Sequence, residues 1–272
     1  MDLKNIIKEA LKEDINKKDL TTFYLKDKHK IVKAKVIAKE EGVLCGIDIF
    51  KKVFLTYDDK IKFPFSLKDG VQFQKGTVLC KIIGKASSIL ACERVALNFL
   101  QRLSGIATLT NKFVKKLKKY NVKILDTRKT TPLLRSLEKY AVKIGGGYNH
   151  RFSLYDGIMI KDNHKRVAGS LEKAILEIKR CKKKIPFICE VENLAEFEVA
   201  QNLGVKWIML DNFSISEIKE AVKKKKKGVK IEVSGGVNLE NVEEIAKTGI
   251  DYISIGSLTH SPKAIDISLE IE

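Results

Sequence analysis

A change of rhythm near residue 120 constrains this chain more than any other feature of its sequence. Beyond it, short apolar stretches recur at Ile124–Leu125, Gly157–Ile160, Phe187–Val191, Trp207–Leu210, Ile231–Val233 and Tyr252–Ile255. Segments of helical spacing separate most of them, at Leu133–Val142, Leu171–Lys183, Leu194–Leu203, Ser216–Lys226 and Leu239–Lys247. Strands alternating with helices predict right-handed βαβ crossovers and a parallel sheet. Successive strand starts lie roughly twenty to thirty residues apart, compact enough for an α/β barrel.

The first hundred or so residues follow other rules. Leu3, Ile6, Ile7, Ala10 and Leu11 fall at helical spacing over residues 2–12. A polar loop then ends in Asp19-Leu20-Thr21-Thr22. From Ile31 the period becomes two, with Val32, Ala34, Val36 and Ala38 on one face, which predicts a half-buried strand. Gly42 and Gly46 bracket Val43-Leu44-Cys45, and Asp69-Gly70 and Lys75-Gly76 punctuate short strands at Val71–Phe73 and Thr77–Ile83. These features predict an α+β sandwich with several short antiparallel strands. A helix starting near Ser87 and running past Gly105 toward Leu117 bridges the two parts.

The formal net charge is +18, which raises the question of nucleic acid. Of the 52 Lys and Arg only seven are Arg, all between Arg94 and Arg180, whereas Lys is spread along the whole chain. A run such as Lys223 to Lys227 suits the negative end of a helix dipole and needs no ligand. Aromatic residues make up only 7%, too few for the interleaved stacking of a nucleic-acid surface. Arg position is the better guide, because Lys cannot replace a planar bidentate donor. The five cysteines (Cys45, Cys80, Cys92, Cys181, Cys189) form neither a CxxC pair nor a metal-ligand spacing with His. Scattered thiols, no signal-peptide pattern after Met1-Asp2-Leu3-Lys4-Asn5 and no bilayer-length apolar run predict a reduced, cytoplasmic, membrane-free protein.

Polar residues concentrate where the predicted strands end. They are Asp126-Thr127-Arg128-Lys129, Lys161-Asp162-Asn163-His164, Glu190 with Glu192, Asp211-Asn212, Ser234-Gly235-Gly236 and Gly256-Ser257. Barrel enzymes keep their active sites at this end of the strands. Arg128, Lys129 and Lys161, with His150-Arg151 from the loop after Gly145-Gly146-Gly147 and Arg94 from the bridging helix, predict a substrate with several negative charges. Glu190, Glu192 and Asp211 suit Mg²⁺ or sugar hydroxyls, and Glu190 and Glu192, two apart, are expected on one strand face. The two glycine turns offer backbone N–H groups to a phosphate. Asn163 and Asp211 equally suit helix caps, and His29 and His164 fit ordinary structural roles.

Longer motifs run through these positions. Glu93-Arg94-Val95-Ala96-Leu97-Asn98, Leu103-Ser104-Gly105-Ile106-Ala107-Thr108, Asp126-Thr127-Arg128-Lys129-Thr130, Lys139-Tyr140-Ala141-Val142, Gly145-Gly146-Gly147-Tyr148-Asn149-His150-Arg151 and Ile160-Lys161-Asp162-Asn163-His164 resemble the quinolinate phosphoribosyltransferases, of the type II fold. The similarity continues through Glu190-Val191-Glu192, Met209-Leu210-Asp211-Asn212, Ser234-Gly235-Gly236 and Gly256-Ser257, in order along nearly the whole chain.

This resemblance implies an N-terminal α/β (α+β) sandwich over residues 1–105, packed on an irregular, partly open α/β barrel over residues 106–263, with the tail 264–272 returning to the first domain. It implies a homodimer or larger homo-oligomer in which Arg94 serves the neighbouring subunit's site. Arg128, His150, Arg151 and Lys161 would grip the two quinolinate carboxylates. Thr127, Lys129, Glu190, Asp211, Ser234, Gly235, Gly236, Gly256 and Ser257 would hold phosphoribosyl pyrophosphate and Mg²⁺, with Glu190 and Asp211 reaching the metal directly or through substrate or water. Lys129, Glu190 and Asp211 are the expected catalytic residues of a decarboxylating transferase in pyridine nucleotide and NAD biosynthesis. A type II enzyme acting on nicotinate or another anionic base is the alternative, and a single carboxylate calls for fewer converging cations.

Overall fold

Asp2 opens the chain by accepting the Asn5 amide at 2.8 Å, which starts helix α1 (Leu3–Ile15), whose Ile6, Ile7 and Leu11 are buried. This computed structural model describes residues 2–180, 185 and 187–272. Met1 and the last three residues of the predicted helix Leu171–Lys183, Cys181 among them, lie outside the described residues.

By its internal contacts the chain divides into two units. The first comprises the residues up to Asn111 with Thr131–Gly146 and Ser261–Glu272, and the second Lys112–Thr130 with Gly147–His260. After α1 come α2 (Leu20–Tyr24), β1 (Ile31–Ala38), β2 (Gly42–Val43), α3 (Ile47–Tyr57), β3 (Lys62–Ser66), β4 (Gln72–Phe73), β5 (Val78–Lys85) and α4 (Ala86–Leu117). The sequence expected a loop where α2 forms. Asp19 caps that short helix by accepting the Thr22 amide at 3.1 Å, so its Asp-Leu-Thr-Thr motif reads locally as a helix start.

β1 keeps the predicted period: Ala34, Val36 and Ala38 are buried while the residues between them are only partly covered. It pairs antiparallel with β5, and β5 with β3. The sequence reading missed α3, which buries Ile47, Ile49, Phe50, Val53 and Phe54. Its first amides find their acceptor far away in the chain, Asp69 taking Gly46 N at 2.9 Å and Ile47 N at 3.0 Å. No local cap announces such a helix. The Ser-Gly-Ile-Ala-Thr motif in α4 is also structural in part. Ser104 Oγ accepts the Cys45 amide at 3.0 Å and Thr108 Oγ1 the Val43 amide at 2.9 Å, which satisfies the buried strand edge beside β2.

The predicted βα rhythm is present as β6 (Lys123–Leu125), α5 (Arg135–Ile144), β7 (Ile158–Ile160), α6 (Asp162–Ala168), α7 (Leu171–Arg180), β8 (Phe187–Val191), α8 (Leu194–Asn202), β9 (Trp207–Asp211), α9 (Ile215–Lys224), β10 (Lys230–Ser234), α10 (Val242–Lys247), β11 (Tyr252–Ser254) and α11 (Ser257–His260). The short helices α6 and α11, which follow strands directly, were not expected. The six strands of the second unit form one parallel sheet in the order β6-β11-β10-β9-β8-β7. The ladder stays open between its edge strands β6 and β7, and an isolated parallel bridge, Leu125 to Tyr148, extends the β6 edge. The chain ends in β12 (Ile267–Ile271), which pairs antiparallel with β1 in the order β12-β1-β5-β3. The architecture is a mixed α/β chain with an N-terminal antiparallel unit and a parallel-stranded α/β unit. No helix among the described residues is long and apolar enough to cross a membrane.

Candidate active site

Every strand of the parallel sheet delivers polar residues from its carboxyl end, and in the second unit they surround a cavity of about 810 Å³. This lies within the usual range for small-molecule sites. Thr127, Arg128, Lys129, His150, Arg151, Lys161, Glu190, Asp211, Ser234, Gly235, Gly236, Gly256 and Ser257 all line it. Arg94 belongs to the first unit, exposed on α4.

The lining sorts by strand. Cations come from the open side of the sheet: Arg128 and Lys129 follow β6, Lys161 follows β7, and His150-Arg151 follows the Tyr148 bridge. Carboxylates come from β8 and β9 as Glu190 and Asp211. Glycine turns come from the inner strands β10 and β11, next to β6.

On the cationic side the backbone is pinned. Asp126, fully buried, accepts the His150 amide at 2.9 Å, His150 Nδ1 accepts the Arg151 amide at 2.8 Å, and Arg151 Nη1 donates to the Gly157 carbonyl at 2.9 Å. Burial, and next the neighbouring Arg128 guanidinium, push the Arg151 pKa down. Two guanidiniums close enough to oppose each other's charge make a strong seat for an anion. Lys161 donates to Glu190, a buried carboxylate, and its own amide is accepted by His164 Nδ1 at 3.0 Å, closing the first turn of α6. His164 is thus a structural residue, as its sequence context suggested.

Glu192 behaves differently from the sequence expectation. β8 ends at Val191, so strand alternation does not extend to Glu192, which is exposed and pairs with Lys165 at 3.0 Å. Glu190 alone of this pair lines the cavity. Asp211 ends β9, and Asn212 after it takes a left-handed conformation with φ 57°, tolerable for Asn. A Cβ at Gly235, where φ is +91°, would collide with the Asn212 carboxamide, so only glycine lets these two turns meet. At Gly256 a Cβ would press on the Lys129 side chain at 3.0 Å and on the His260 ring at 3.2 Å. That glycine leaves its backbone open beside a lysine.

The cavity also holds residues that the sequence reading did not select, among them Met159, Met209, Asn238, Ser254 and His260. His260 had a signal, standing one helical turn beyond Gly256. The buried thiols of Cys45, Cys80, Cys92 and Cys189 are free, and burial pushes their pKa values up, to about 12 for Cys92 and Cys189. None of the four is an activated nucleophile. Among the described residues no three acidic, His or Cys side chains converge into a metal cage. Glu190 and Asp211 instead fit the way Mg²⁺ binds beside a polyphosphate, through one or two carboxylates and the phosphate oxygens.

The chain matches the family described as quinolinate phosphoribosyl transferase, the N-terminal domain over residues 19–104 and the C-terminal domain over residues 106–270. It is similar to a probable nicotinate-nucleotide pyrophosphorylase (carboxylating) of Bacillus subtilis, 42% identical over 100% of this chain and 94% of that one. A quinolinate phosphoribosyltransferase (decarboxylating) of Nicotiana glauca is 41% identical over 100% of this chain and 83% of its own length. The crystal structure of nicotinate-nucleotide pyrophosphorylase from Ehrlichia chaffeensis superposes with a TM-score of 0.95 at 43% identity, covering 100% of this chain and 99% of that one. With both family domains matched in order along the chain, this protein belongs to the quinolinate phosphoribosyltransferase family.

Proposed function

We propose that the chain transfers the phosphoribosyl group of phosphoribosyl pyrophosphate to quinolinate, giving nicotinate mononucleotide, CO₂ and pyrophosphate, the step that feeds NAD biosynthesis. The observation that carries this reading is the sorting of the cavity. Cations gather from the open side of the sheet, and carboxylates and glycine turns come from the strands between. A dianionic ring fits the first group and a phosphorylated sugar the second.

Arg128, His150, Arg151 and Lys161 orient the diacid so that its ring nitrogen faces C1 of the ribose, a proximity effect. The nitrogen attacks C1 as the bond to pyrophosphate breaks. Lys129 neutralises charge growing on the leaving group, and Glu190 and Asp211 hold the ribose and favour positive charge on the sugar. Ser234, Gly235, Gly236, Gly256 and Ser257, with Thr127, present hydroxyls and backbone amides to the phosphates. Glu190 and Asp211 are the residues that would hold Mg²⁺, which would supply further charge neutralisation. The ring nitrogen, now quaternary, stabilises the electron pair left at C2 when that carboxylate departs as CO₂, and C2 then takes up a proton. No covalent enzyme intermediate is needed, in keeping with the raised pKa values of the buried thiols.

The working unit is a homo-oligomer, at least a dimer, with Arg94 contributed to the neighbouring subunit's site. Mixing inactive Arg94→Ala and Lys129→Ala chains should restore activity through hybrid dimers, and a mixture as silent as its parents rejects the shared site. For the reaction, quinolinate labelled at the C2 carboxylate is incubated with phosphoribosyl pyrophosphate and Mg²⁺, beside a parallel tube of nicotinate. Labelled CO₂ and nicotinate mononucleotide from quinolinate alone are expected, and product from nicotinate alone overturns the substrate.

A further inference from the structure

Glu232 stands in the middle of β10 and is fully buried. Strand alternation puts it on the same face as Ser234, a cavity residue, and the register sets it beside Met209, another. Its Oε2 accepts Trp207 Nε1–H at 2.7 Å and lies 3.4 Å from His150 Nε2. The indole is fixed in turn, stacked on Tyr252 with ring centroids 4.6 Å apart. Across the imidazole, Nδ1 accepts the Arg151 amide at 2.8 Å. An Nδ1 that accepts carries no proton, so Nε2 carries it, within ion-pair range of the carboxylate though outside hydrogen-bond geometry.

We propose that Glu232 is a positioning residue for the base-binding half of the site. It anchors the His150 ring from below in the Nε2–H tautomer, and through Nδ1 fixes the backbone that aims Arg151 before substrate arrives. A buried carboxylate with a free oxygen is an expensive thing to keep in a strand. Glu232 Oε1 has no hydrogen-bond partner among the described residues. A role in holding cavity side chains accounts for that cost, because displacing a binding group by even an ångström weakens catalysis steeply. The proposal rests on the quinolinate reading only for the identity of the ligand.

The test compares Glu232→Met, which keeps the volume and removes the acceptor, with Glu232→Gln, whose carboxamide oxygen still accepts. The expected result for Glu232→Met is a rise of roughly tenfold or more in the KM for quinolinate, with the KM for phosphoribosyl pyrophosphate changed less than about twofold. Glu232→Gln should recover most of the loss. A purely structural role moves both KM values and the melting temperature together, without rescue, and overturns the proposal. In parallel, ¹⁵N-histidine NMR of the wild-type chain reads the His150 tautomer directly, assigned by its loss in His150→Asn. Nε2–H is expected, and Nδ1–H in the wild type overturns the proposal with no variant needed. Should the wild type fail to turn over quinolinate yet show Nε2–H, weakened in Glu232→Met, the substrate reading falls and the positioning role stands.

Discussion

Glu138 and Glu232 are both sealed from solvent, one in each unit, and their oxygens are satisfied in opposite ways. Glu138 Oε1 accepts Arg102 Nε at 2.9 Å and Nη2 at 2.5 Å, its Oε2 accepts the Thr131 amide at 3.0 Å, and Arg102 also reaches Thr131 Oγ1 at 2.7 Å. Glu232 has one oxygen that accepts the Trp207 indole and has the His150 imidazole 3.4 Å away, outside hydrogen-bond geometry, and no hydrogen bond on the other. A saturated buried carboxylate is an anchor. An unsaturated one beside a ligand cavity marks a place where stability has been given up for geometry, as is common at functional sites. Glu190 is intermediate, buried at the cavity wall with Lys161 as its cation.

The contrast can be broken at several points. Arg102→Ala should have the largest effect. It strands Glu138 in the interior, and urea denaturation should show a loss of about 3–5 kcal/mol. A midpoint close to wild type would mean that the network is no anchor. Glu190→Gln should act on chemistry more than on folding or quinolinate affinity, lowering kcat by roughly a hundredfold, as for loss of one charge-stabilising group. If only the KM for quinolinate moves, Glu190 does not serve the ribose. Arg151→Ala should cost about 1.5–3 kcal/mol in quinolinate binding, the worth of one charge-assisted hydrogen bond. Unchanged steady-state kinetics would dissolve the cationic cradle. Lys224→Ala, which removes exposed pairs with Glu198 and Glu220, should leave the melting temperature within experimental scatter. A clear shift there would show that surface pairs carry weight in this lysine-rich chain.

The sequence made much of this legible, for physical reasons that differ by region. The parallel strands could be read because residues such as Ile208, Leu210, Ile231 and Val233 are buried as apolar runs, and their carboxyl ends are punctuated by Asp211 and Ser234. Glycine turns could be read because only glycine fits them, as Gly235 against Asn212 demonstrates. What stayed hidden depends on partners distant in sequence. α3 is started by Asp69, more than twenty residues beyond its first turn, so no local cap betrayed it. Glu232 went unremarked because an isolated acid in a strand shows nothing of Trp207 or His150. Glu192 misled because alternation holds only while the strand lasts.

The pairing of β12 with β1 gives this chain an order of assembly. The antiparallel sheet of the first unit has β1 and β5 early in the chain, but its edge strand is made only after the whole parallel unit has been synthesised. Until then the β1 edge presents unpaired N–H and C=O groups, an invitation to other nascent strands. Lys33, Lys35 and Lys39 stand along that edge, charged residues of the kind that discourage strand addition. A chain cut short before Ile267 would have all of its cavity residues made and its first sheet unfinished, a ready target for chaperones.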